Sequence, residues 1–161
     1  MTQLDSTHRP SRRSPTADEL RTWRAFIETA DELRSALAAR LQSETSLSSG
    51  DYAVLLALSE ADDKHMRSSE LAVHIGWERS RLSHHLGRME RRGLIRRDEC
   101  ATDSRGAEIT LTRVGTDAFR QATAPHLHAI RELFVDALTP GQLAAARDIA
   151  DTLHAHLGGA E

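Results

Sequence analysis

The sequence predicts a mainly α fold of six helices with one small antiparallel β-wing, a winged helix-turn-helix. Three observations predict it. Apolar residues recur at three- and four-residue steps near both ends of the chain, over residues 20–41 and 143–157. Two short helical segments meet across Gly76, the spacing of a helix-turn-helix. After Gly93 the apolar period changes toward two, in LIRRDEC and AEITLT. A chain of 161 residues suits one domain with a short extension.

The elements follow in order. Residues 1–15 hold Arg9, Pro10, Arg12, Arg13 and Pro15 among serines and are expected to form a disordered arm. Residues 16–161 are expected to form the single domain. Thr16 and Glu19 have capping-box spacing, so a first helix is expected from there to about residue 45. Its stripe of Leu20, Trp23, Ile27, Leu37 and Leu41 is longer than a small domain needs and suits a partner helix. Ser48 and Asp51 form a second capping box before DYAVLLALSEA, a segment apolar nearly all round and expected at the centre of the core. DDKH reads as a turn. RSSELAVHIG reads as a short helix capped by Ser68 or Ser69 and stopped by Gly76. A second short helix spans about 78–92, and the wing hairpin turns through ATDSRG. Thr112 can cap a helix reaching about residue 137, which Pro125 should kink or interrupt. Thr139, Pro140 and Gln142 start the last helix, which should end near residue 156.

Charge points to a partner. The formal net charge is -3, yet residues 79–97 hold seven arginines against Glu90 alone. That is a local +6, which leaves -9 for the rest of the chain. A basic segment in an acidic body suits phosphates, which respond to local charge. At about 100° per residue, Leu82, Leu86 and Met89 share the core side of residues 78–92. Ser80, Arg81, Ser83, His84, Gly87, Arg88 and Arg91 lie on the outward face or flank it, with no carboxylate among them, and His85 falls near the core margin. Arginine can grip guanine through two hydrogen bonds, and serine and histidine can take base edges or phosphates. Ser68 and Ser69, opening the first short helix, join the candidate DNA contacts. Gly87 weakens the helix, and two readings stay open: close approach of a phosphate or backbone, or relief of packing.

Other classes find little support. The single Cys100 rules out an internal disulfide. No apolar run approaches the roughly 18 residues of a membrane span, and the N-terminus lacks a signal-peptide core, so a cytoplasmic protein without a membrane partner is expected. No nucleophile elbow, P-loop or dinucleotide fingerprint is present, so neither an enzyme nor a cofactor is expected. His126/His128 and His154/His156 have i,i+2 spacing, which points the two rings about 200° apart on a helix, so no metal site is expected.

The element order, with RSSELAVHIGWERSRLSHHLGRMERRGLIRR and DSRGAEITLTRVG, resembles the MarR family of bacterial winged-helix transcription regulators over about residues 20–157. Asp103-Ser104-Arg105, then Leu111-Thr112 and Gly115, look like the family's D-x-R…L-T-x-x-G pattern. The resemblance implies an interlocked homodimer on double-stranded DNA. Residues 16–45 and 113–157 would be the dimerisation helices and 48–112 the DNA-binding winged helix-turn-helix. Arg105 would reach the minor groove, steadied by Asp103. The expected function is a repressor on a pseudo-palindromic operator, released by a small, often aromatic ligand. Trp23, Phe26, Tyr52 and Phe119 could line such a site with Arg24 as carboxylate partner; the same aromatics also suit the core. Alternatives are a metal- or redox-responsive regulator, the latter through Cys100, and a dimeric interaction protein with no ligand.

Overall fold

Side-chain caps set the starts of the long helices. The computed structural model describes residues 14–99 and 107–158. Thr16 Oγ1 accepts from the Glu19 N–H at 3.2 Å, and Glu19 Oε2 accepts from the Thr16 N–H at 2.8 Å. This box opens α1, Ala17–Glu44. The equivalent pair of Ser48 and Asp51 opens α2, Ser49–Glu60. Each box satisfies two N–H groups that the first turn leaves unpaired. Thr139 and Gln142 do the same for α6, Pro140–Gly158.

After α2 a short 3-10 turn, Asp62–Lys64, carries Asp63 and Lys64 in the left-handed region and turns the chain into β1, His65–Arg67. Then come α3, Ser68–His74, and α4, Arg79–Arg91, joined through Gly76 at φ 67. Ser68 and Ser69 do not cap α3, contrary to expectation. The helix begins at Ser68, and the cap position falls to Arg67, whose side chain makes no cap bond. Entry from a strand fixes the backbone there and moves both serines inside the first turn.

The wing strands are β2, Ile95–Glu99, and β3, Ala107–Leu111, paired antiparallel from Ile95↔Leu111 to Glu99↔Ala107. The sheet order is β1-β3-β2, so β1 adds an unforeseen third strand, with Met66 opposite Ile109. Three residues are too few to show a period; β1 exists because the free edge of β3 needs a partner.

Thr112 joins wing to helix. Its hydroxyl lies 2.6 Å from the Gly93 carbonyl and accepts from the Gly115 N–H at 3.0 Å, which starts α5, Arg113–Ile130. A Cβ on Gly115 would fall 2.0 Å from the Leu94 carbonyl, so only glycine lets α5 come this close to the residue that leads into β2. Pro125 does not interrupt α5, which runs five residues past it. The irregularity lies instead in a π-helical turn, Arg131–Val135. Proline removes one hydrogen bond, a loss a helix packed along its length can carry.

The core collects α2, α3, α4 and the sheet. Val54, Leu55, Leu58, Leu71, Leu82, Leu86, Met89 and Ile109 are all essentially sealed from solvent. Among them lie the three α4 residues that the helical period assigned to the core.

Candidate nucleic-acid interface

Burying Leu82, Leu86 and Met89 fixes the rotation of α4 and therefore its opposite face. Arg79, Ser80, Arg81, Ser83, His84, Arg88 and Arg91 are exposed. A Cβ on Gly87 would meet only Arg91 Nη1, at 3.9 Å. Packing within the described residues thus gives no reason for glycine there. Ser68 and Ser69 are half-buried at the start of α3.

The seven arginines divide into two groups. Arg92 donates to Asp51 Oδ2 at 2.7 Å and to the Ser46 carbonyl at 2.6 Å. Arg96 pairs with Asp98, and Arg97 with Glu90 at 2.9 Å. These three are exposed but paired with carboxylates, so the local charge counted from sequence overstates what is left without an acidic partner. The other four lie on α4. Arg79 and Arg91 have no acidic partner among the described residues. Arg81 lies over the Trp77 ring, 4.2 Å from its centroid, and Arg88 Nη2 approaches His85 Nδ1 at 2.8 Å.

His85 is not a margin residue. It is buried, with Nε2 3.0 Å from Asp51 Oδ1, a distance that suits an ion pair although the angle falls short of a hydrogen bond. Trp77 closes over it edge to face at 5.2 Å. Burial opposes ionisation of Asp51, but the facing His85 ring and hydrogen bonds from Arg92 and the Ser48 N–H outweigh it. Together they hold the carboxyl well below the usual carboxylate range. The capping box marked Asp51 for a local role, while its link to α4 spans too much sequence for any local pattern.

Asp103 and Arg105 lie outside the described residues, as does Cys100. The proposed ligand residues divide. Tyr52 and Phe119 meet in the core at 5.2 Å, with the His126 ring tilted against Tyr52 at 4.4 Å. Trp23, Arg24 and Phe26 lie exposed on α1. A cavity of about 540 Å³ opens elsewhere, between α1, the start of α2 and α4, where Gln42, Ser49, Gly50, Trp77, Arg81 and His85 are among its lining.

Residues 45–106 match a model of the MarR family. Two solved structures from Streptomyces coelicolor are each 34% identical to the chain. One is AbsC, a MarR family transcriptional regulator, with a TM-score of 0.82 over 92% of this chain and 99% of AbsC. The other is Sco3205, a MarR family transcriptional regulator solved in complex with DNA, with a TM-score of 0.83 over 91% of each chain. A more distant likeness in fold, at 20% identity, is the organohalide-sensing regulator RdhR-CbdbA1625 bound to 2,4-dichlorophenol. Its TM-score is 0.76 over 97% of this chain and 89% of that one. No curated protein matches the chain.

Proposed function

The chain belongs to the MarR family, and from that membership we propose that it acts as a homodimeric repressor on a pseudo-palindromic operator, released by a small ligand. It is a transcription regulator and not an enzyme. The observation that carries the DNA reading is the exposed face of α4, which offers arginine, serine and histidine with no carboxylate among them. In the proposed complex Arg81 and His84 read bases, Ser68, Ser69, Ser80, Ser83 and Arg88 complete the contact, and Arg105 enters the minor groove with Asp103 beside it. The wing assignment rests on the family pattern in the sequence. The dimer rests on the apolar stripes left exposed on α1 and α6.

Release by a ligand is supported by the dichlorophenol-bound relative and by the cavity behind α4. Trp23, Arg24, Phe26, Tyr52 and Phe119 stay proposed as a second place for the ligand; the fold divides them between the core and an exposed helix. No helix among the described residues is long and apolar enough to cross a membrane, which accords with work on cytoplasmic DNA.

Selection of bound duplexes from a random pool tests the proposal. The expected outcome is a two-fold-related motif with half-sites about one helical turn apart. Arg81→Ala should relax base preference within it, whereas a uniform loss with a shallower salt slope would mark Arg81 as a phosphate contact. A pool without enrichment would overturn the operator reading.

A further inference from the structure

Arg81 and Arg88 are exposed, yet neither side chain is left to wander. A free arginine gives up roughly 2 kcal/mol of rotamer entropy when it is fixed, and reading a base edge also requires the guanidinium plane to be aimed. Both side chains are held from behind by one buried cluster whose other end is the start of α2.

The cluster can be followed atom by atom. Asp51 Oδ2 accepts from the Ser48 N–H at 2.9 Å and from Arg92 at 2.7 Å, so the carboxylate is fixed. Its Oδ1 faces His85 Nε2 at 3.0 Å. On the far side of the ring, Nδ1 meets Arg88 Nη2 at 2.8 Å. A guanidinium only donates, so Nδ1 must accept and carries no proton. The proton of the neutral ring is then on Nε2, facing the carboxylate. Asp51 therefore selects the tautomer that lets His85 hold Arg88. Trp77 extends the cluster, its ring packed on His85 at one edge and under Arg81 at its face. Gly50 is the floor: a Cβ there would fall 2.7 Å from Trp77 and 2.9 Å from His85.

We propose that Asp51, His85 and Trp77 are positioning residues that aim Arg88 and Arg81, so that sequence preference depends on side chains that do not touch DNA. The proposal rests on reading α4 as the DNA-contacting helix. A residue needed only to fill space here could be apolar, since a buried Asp–His pair costs desolvation. The polar edge of His85 turns outward, onto a side chain of the contact face.

The test compares the ratio of specific to non-specific duplex affinity in the full chain. His85→Phe keeps an aromatic ring against Trp77 and removes both nitrogens. It should lower the ratio about tenfold, the scale of one lost base contact. His85→Gln offers a donor and an acceptor in place of the ring nitrogens, so it should recover most of the ratio. A folded His85→Phe with the parent's ratio would overturn the proposal. Nitrogen NMR of the unaltered protein is an independent arm: a proton on His85 Nδ1 at pH 8 would overturn it too, whether or not the variants fold. A parent protein with no sequence preference would instead overturn the operator reading itself.

Discussion

The winged-helix lobe and the two long terminal helices treat apolar residues in opposite ways. In the lobe, Leu55, Leu58, Leu82 and Met89 are almost wholly enclosed by α2, α3, α4 and the sheet. By contrast α1 buries Leu41 alone, and α6 buries nothing. Trp23 is 58% exposed, Phe26 50% and Leu157 72%, although all three lie on continuous helices. The lobe closes its core with its own chain. The terminal helices display stripes that no described residue covers, and burial of those stripes would be the main favourable term in the proposed association.

The comparison can be broken in three places, from the largest effect to the smallest. Leu58→Ala removes packing at the centre of the lobe and should cost about 2–5 kcal/mol in urea unfolding; a cost near zero would mean that the lobe is not the stability centre. Ile149→Asp combined with Leu153→Asp charges the exposed stripe of α6. Sedimentation should then show weaker association by at least about tenfold, or ~1.4 kcal/mol, with wing and lobe still folded. An unchanged dimer would place the interface elsewhere. The third effect is a pH dependence. Burial lowers the affinity of His126 for its proton in the folded chain, while the unfolded chain keeps an ordinary histidine near pH 6.5. The unfolded state therefore binds more protons in the window below that pH, and stability falls as pH drops through it. His126→Phe should flatten this slope in thermal melts between about pH 7 and pH 5; an unaltered slope would assign it to another group.

What could be read in advance was local. Thr16 with Glu19, Ser48 with Asp51 and Thr139 with Gln142 announce helix starts, because each box is made within one turn of chain. The inward residues of α4 follow from its period. Thr112 and Gly115 were visible only as part of a pattern, and the fold supplies the reason: one hydroxyl joins two elements, and one missing Cβ lets them touch. Other features stayed hidden because the partners are far apart in sequence. Strand β1 depends on β3, and Arg92 is bound to Asp51 41 residues away.

By itself the sequence determined which segments become helices, which face of α4 turns inward, and that a basic, carboxylate-free face is presented. Hydrogen bonds and periodicities within a few residues decide those things. Only the tertiary structure decided which of the arginines are paired with carboxylates and which are not. It also placed His85 inside, between Asp51 and Arg88. Both outcomes depend on distances between α2, Trp77 and α4, and those distances exist only once the core has closed and fixed the elements against one another.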